Sequence, residues 1–98
     1  MSTYSNVVRF IVKEGNEDKF LEVFNTFLMQ EGENYSILVN TGEREYVAVG
    51  AWKSEDAMIN ARPAMIDNLD QMRDLLEEIS PEFGVTDPRS GKIVLEWS

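Results

Sequence analysis

The stretch YVAVGAWKSEDAMINARPAMIDNLDQMRDLL, running from Tyr46 to Leu76, decides how this chain is read. Its opening alternates. Tyr46, Ala48, Gly50 and Trp52 share one face and Val47, Val49 and Ala51 the other, the period-two pattern of a strand. Ser54 then stands where a helix N-cap belongs, with Glu55 and Asp56 in the first turn, at the positive end of the helix dipole. Beyond it Met58, Ala61, Met65, Leu69, Met72, Leu76 and Ile79 track one helical face. Pro63 interrupts that face; it lacks an N–H and crowds the preceding turn, so a kink or break just before it is predicted.

Upstream, NVVRFIVKEG reads as the first strand, with Val8, Phe10 and Val12 on one side and Val7, Arg9 and Ile11 on the other. Gly15 ends it and Asn16 is positioned to cap a helix that opens with Glu17 and Asp18. Phe20, Val23, Phe24, Phe27 and Leu28 recur at three- and four-residue steps, a wide apolar stripe that Gly32 is expected to stop. NYSILVNTGEREYVAVGAW holds two strands around Asn40–Gly42, predicting an antiparallel hairpin with a loop longer than two residues. Near the end, SPEFG and TDPRSG read as irregular and KIVLEW as the last strand.

The order is β-α-β-β-α-β, the split βαβ arrangement of an α+β, ferredoxin-like fold with a four-stranded antiparallel sheet. No repeat, linker or low-complexity tract divides residues 1–98, which read as one domain. Helices cover one face of such a sheet. The other carries Val, Ile, Tyr and Trp, and at ~25 cal/mol per Å² even ~400 Å² of apolar burial per subunit is worth roughly 10 kcal/mol before entropic and polar costs. A sheet-to-sheet homodimer is the expected answer to that exposure.

Composition excludes several chemistries. With 18 acidic and 9 basic residues the formal charge is -9, a field that repels phosphates, and no basic stripe offsets it; nucleic-acid binding is not expected. There is no Cys and no His, which removes disulfides, thiolate catalysis, the commonest general base near neutral pH and the usual imidazole ligand of zinc or haem iron. Carboxylate-only Mg or Ca binding stays open, but no EF-hand spacing appears, and no metal or bound cofactor is expected. The opening residues have no basic segment followed by a long apolar run, and nothing approaches membrane-spanning length, so a soluble cytoplasmic protein is the expectation.

FIVKEGNEDKFLEVF, a strand, a Gly and an acidic-capped Phe-rich helix, and YVAVGAWKSEDAM, a strand ending in Trp-Lys-Ser before an acidic helix start, together resemble the dimeric α/β-barrel superfamily, in particular its antibiotic-biosynthesis-monooxygenase-like (ABM) domains. The resemblance covers nearly the whole chain. It implies a homodimeric barrel and a family that includes cofactor-free oxygenases of phenolic or quinol substrates, haem-degrading enzymes and members without known activity. The haem-degrading members resemble one another through an Asn on the first strand and a Trp and a His on the second helical segment. Those positions fall near Val8, Ala61 and Gln71 here, with Asn6 two residues from the first, which argues against haem degradation.

The candidate pocket residues are Arg9, Tyr35, Trp52, Asn60, Arg62 and Met65. Trp52, at a strand end, is either an aromatic plug or a stacking face with one N–H donor for a flat organic ligand. Arg9 and Glu96 interrupt apolar runs on strands expected to be neighbours, and so read as a cross-strand ion pair, as exposed edge positions, or as an anion site at Arg9. Asn60 and Arg62 precede the proline near the mouth of the strand-to-helix corner. Arg62 either holds a phenolate through its donor fork or pairs with a carboxylate such as Asp67. Tyr35 and Tyr46 either reach a cavity or cover the sheet edge. Met58, Met65 and Met72 read as core that could also shape an adaptable pocket.

Two functional readings stand side by side. One is a non-catalytic dimeric module of undetermined activity, structural or binding a small aromatic or hydrophobic molecule. The other is a cofactor-independent monooxygenase acting on a planar phenolic or quinol substrate. A filled interior favours the first, a lined cavity the second.

Overall fold

The computed structural model describes residues 2–97. Its elements are β1 (Tyr4–Ile11), α1 (Glu17–Phe24), β2 (Glu33–Gly42), β3 (Glu45–Trp52), α2 (Glu55–Asp70) and β4 (Asp87–Lys92), with a 3₁₀ turn at Arg73–Leu75. The sheet order is β2-β3-β1-β4 and every neighbouring pair is antiparallel. β3 thus lies between β1 and β2, which α1 connects, and β1 lies between β3 and β4, which α2 connects: the expected ferredoxin-like split βαβ topology. Among the described residues no helix is long and apolar enough to cross a membrane.

The alternation read from the sequence determines what the helices cover. Phe10, Val12, Tyr46 and Trp52 are buried on the helix side of the sheet. One cluster joins Phe10, Val12, Phe20, Tyr46, Met72 and Leu76; a second joins Trp52 to Ala57, Met58 and Ala61 at the start of α2. In the first, the Phe20 ring lies 5.0 Å from that of Tyr46 and 5.9 Å from that of Phe10, separations at which tilted aromatic rings attract. The Tyr46 hydroxyl leaves this cluster to donate to Glu17 at 2.7 Å. That carboxylate, together with burial, pushes the phenol up to about 12.

Several local expectations are corrected. α1 stops at Phe24 instead of running to Gly32, so Phe27 and Leu28 lie on the irregular segment that follows. Asn16 occupies the cap position without capping: its side-chain amide donates to the Glu14 carbonyl at 3.4 Å. Ser54 does cap α2, accepting from the Ala57 amide at 3.1 Å. α2 passes through Pro63 unbroken. Proline lacks the N–H that would donate to the Ile59 carbonyl, and both residues are solvent-exposed, so water can donate to that carbonyl instead. The helix ends at Asp70 instead of carrying the apolar face to Ile79. Met72 and Leu76 reach the core through the 3₁₀ turn and a bridge from Leu76 to Val12.

The hairpin connection is only Glu43-Arg44, shorter than expected, because a bulge between Asn40 and Gly42 absorbs the extra residue. Arg44 takes a positive φ of 59° there, and its guanidinium holds the turn down by donating to the Val12 carbonyl at 3.1 Å and to Glu77 at 2.8 Å.

The largest departure is at the last strand. Asp87–Gly91, read as irregular, pairs along β1 together with Lys92, whereas the rest of the expected last strand, Ile93 to Trp97, lies outside the sheet, with Val94 86%, Leu95 70% and Trp97 85% exposed. The expected Arg9–Glu96 pair therefore does not form. Arg9 donates instead to Glu45 at 3.1 Å and to Asp87 at 3.3 Å, on the face of the sheet that no helix covers. The Thr41 hydroxyl, and then the Arg9 guanidinium, hold the Glu45 carboxyl below its ordinary range.

Candidate functional site: a cleft between helices and sheet

The layer between helices and sheet is tightly packed at one end and open at the other. A cleft of about 1190 Å³ lies there, between the helix side of the sheet and the residues of α1, α2 and the segment after α1. Its walls are mostly apolar, among them Val8, Phe24, Leu38, Met58, Met65 and Leu69. That is the composition of sites for small organic molecules: apolar walls with few polar groups to orient the ligand.

The polar groups gather where β1, β2 and β3 run side by side. Register places Asn6 opposite Gly50, Gly50 opposite Ser36, and Glu33 opposite Trp52. Asn6, Glu33, Ser36 and Gly50 all line the cleft. The Trp52 indole N–H donates to Asn6 Oδ1 at 2.7 Å. An indole N–H can only donate, so the oxygen of the amide must face Trp52 and the Nδ2 donors must face away from it. Nδ2 has no hydrogen-bond partner among the described residues, and a carbonyl or phenolate oxygen in the cleft would supply one.

Gly50 makes this arrangement sterically feasible. A Cβ there would sit 2.5 Å from Asn6 Oδ1, 3.1 Å from Glu33 Oε2 and 3.1 Å from Trp52 Nε1. Three polar side chains thus converge over the backbone of one residue, and only a glycine leaves them room. Glu33 is steadied by the Gln30 backbone amide, which donates to Oε1 at 3.1 Å. Oε2 approaches the same point above Gly50 as Asn6 Oδ1 and Trp52 Nε1, so a fixed amide and a carboxylate share the polar end of an apolar cleft.

The structure separates the six candidates read from the sequence. Arg62 and Met65 line the cleft. Arg62 is exposed on α2 and has no ion-pair partner among the described residues; the alternative pairing with Asp67 does not form. Trp52 is fully buried and acts on the cleft through Asn6. Asn60 borders a separate, smaller groove with Gln30, Lys53 and Asp56. Arg9 and Tyr35 point to the opposite side of the sheet, Tyr35 being half exposed there. Tyr46 belongs to the packed core. Asn6, Glu33, Ser36 and Gly50 were not singled out as site residues. A glycine inside an alternating strand was the one local signal available, since it often marks a close approach.

No family model matches this chain, and no curated protein matches it in sequence. Solved structures do match its fold. A mutant of SnoaB, a cofactor-independent oxygenase from Streptomyces nogalater, superposes with a TM-score of 0.75 at 20% identity, over 98% of this chain and 97% of that one. A candidate antibiotic biosynthesis monooxygenase from Chloroflexus aurantiacus gives 0.75 at 12% identity, over 99% and 98%. A dimeric ferredoxin-like protein from an uncultured marine organism gives 0.75 at 10% identity, over 100% and 93%. The chain has the ferredoxin-like fold of the ABM-like proteins.

Proposed function

We propose that this protein is a homodimer that binds a small planar, largely apolar molecule, bearing an oxygen at one end, in the cleft between its helices and sheet. The observation that carries this reading is the Asn6 amide, fixed by Trp52 with its donors unspent, at the polar end of apolar walls. The ring system of the ligand would lie against Val8, Leu38 and Met65, and its oxygen would accept from Asn6. Arg62 at the rim favours ligands with a second, anionic oxygen. Dimerisation is supported by the exposed Val7, Ile37 and Val39 on the uncovered sheet face, which a facing sheet would bury, and by the dimeric state of a solved protein with this fold. As a cytoplasmic protein it should appear in the soluble fraction of its own cells.

Trp52 lies directly behind Asn6, so its fluorescence is the natural reporter. Titration with a panel of hydroxylated polycyclic aromatics is expected to give saturable changes, and Gly50→Ala to weaken them at least tenfold by displacing the Asn6 amide. Failure of every member of the panel to bind would overturn the reading.

A second reading, cofactor-independent oxygenation, is favoured by Glu33. Its carboxylate reaches the same space over Gly50 as the Asn6 amide, where it could take a phenolic proton while the amide stabilises the resulting anion. The anion would supply the electrons that reduce dioxygen. Quinol-dependent oxygen uptake that disappears in Glu33→Gln, with binding retained, would support this reading. Binding without uptake leaves the chain a binding module.

A further inference from the structure

The segment between α1 and β2 is built differently from the rest of the cleft wall. Phe27, Leu28, Met29 and Gln30 all line the cleft, yet Leu28 is 82% and Met29 53% exposed. Its two ends are held. At the α1 end the Thr26 and Phe27 amides donate to the Val23 and Phe24 carbonyls at 3.0 and 3.1 Å, the tightened three-residue spacing of a helix that stops. At the β2 end the Gln30 amide donates to Glu33 Oε1, and the Glu33 amide returns a bond to the Gln30 carbonyl at 3.0 Å. Gly32 takes a φ of 84°, and a Cβ there would meet that of Ala57 at 2.6 Å, so this end sits directly on α2. Between the anchors, the amides of Leu28 and Met29 donate no hydrogen bond among the described residues.

Sequence and structure differ over this segment in an informative way. The apolar stripe of α1 continues through Phe27 and Leu28, but the helix ends at Phe24. Asn25 already has helical dihedrals, φ -68° and ψ -12°. One further turn would let the Leu28 amide donate to the Phe24 carbonyl and the Met29 amide to that of Asn25, the bonds of an α-helix. It would also set Leu28 beside Phe24 on the helix face that Phe24 turns to the cleft. A single local change thus gives both amides a partner and turns an exposed Leu inward. The turn is rewarded when an apolar molecule in the cleft gives Leu28 a surface to meet.

We propose that Asn25–Met29 is a strap that closes over a bound molecule by continuing α1 for one turn, laying Leu28 across the mouth of the cleft. Glu33 ties that movement to the ligand: Oε1 holds the strap through the Gln30 amide, and Oε2 reaches the polar end of the cleft. This inference rests on the small-molecule reading above and adds to it the segment that retains the molecule.

Two probes of different size, 2-naphthol and 1-hydroxypyrene, test it on the full chain. Amide hydrogen exchange followed by NMR should show Leu28 and Met29 exchanging freely without probe and slowed about tenfold or more at saturation, with the amides of β3 as the unchanged reference. Leu28→Ser should speed probe dissociation, measured by stopped-flow displacement, roughly tenfold, the worth of a largely buried Leu side chain, and leave association unchanged. Leu28 is exposed in the open form, so its loss spares the core, and the exchange measurement needs no substitution at all. Unprotected amides at saturation, or equal dissociation from wild type and Leu28→Ser, overturn the strap and leave the binding reading standing. Protection that rises with protein concentration in the absence of probe assigns the segment to a contact between copies, which also overturns the strap. If neither probe nor any other member of the aromatic panel binds, the binding reading fails and the strap with it.

Discussion

At one end of the layer between helices and sheet, Phe10 and Tyr46 on neighbouring strands meet Phe20 of α1 and the buried Leu76. At the other, the same two strands present Asn6 and Gly50, and the space above them is a cleft. Asn6 and Phe10 share a face of β1 only four residues apart, about 13 Å along the strand; Tyr46 and Gly50 are the same distance apart on β3. Over that distance large aromatic side chains give way to an amide and a hydrogen atom. The lesson is a division of labour: the aromatic end supplies the stability that lets the other end stay open. Substitutions should therefore separate the two, those at the packed end changing stability and those at the cleft changing binding.

The largest stability effect is expected from Phe20→Ala. Phe20 is fully buried and touches the rings of Phe10, Phe24 and Tyr46. Removing a buried Phe side chain typically costs about 3–5 kcal/mol in transfer and cavity terms. Urea denaturation measures it, and a loss below about 1 kcal/mol would mean that the core is not where the comparison puts it.

The Tyr46 hydroxyl sharpens the comparison through pH. Its folded pKa is raised to about 12 from an ordinary 10.0, chiefly because the phenol donates to Glu17. A raised pKa means that the folded state holds the proton more tightly. The contribution is complete below pH 10 and is lost as pH rises from about 10 to about 12, where unfolded chains have already released it. Wild type should therefore lose stability over that window more steeply than Tyr46→Phe, while at neutral pH the variant should be less stable by about 0.5–1.5 kcal/mol, the worth of one hydrogen bond. Parallel thermal melts across the alkaline range would show the two curves converging; parallel curves would contradict the assignment.

What was legible in the sequence follows the same division. The alternation of β1 and β3, and hence the buried Phe10, Val12, Tyr46 and Trp52, was readable because a half-buried strand repeats every two residues. Ser54 was readable as a cap because a helix start has its own local chemistry. The last strand was not. Asp87–Lys92 has no apolar alternation to betray it, since it is an exposed edge held by its backbone to β1, whereas Ile93–Trp97 has strand composition and pairs with no strand among the described residues. Nor was the cleft legible. Asn6, Glu33, Ser36 and Gly50 come together only through the registers of three strands, and no residue carries its register in its own identity.

Arg62→Ala should have the smallest effect on the fold and is for that reason the sharpest probe of the cleft. The side chain is exposed on α2 and makes no ion pair among the described residues, so its loss should change stability by less than about 0.5 kcal/mol. Its charge nevertheless borders the cleft, where few other cations stand near in a chain of net charge -9. A carboxylated or ionised aromatic entering the cleft meets an overall repulsive field, and of the two arginines lining it Arg62 is the one placed to offset it, since Arg89 is paired with Asp87 at 3.7 Å. Affinity for anionic ligands should therefore fall several-fold in the variant and become less sensitive to salt, while affinity for neutral aromatics of the same shape is retained. Equal losses for both classes would mean that Arg62 shapes the wall without reading charge, and the donor at the polar end would then be the Asn6 amide alone.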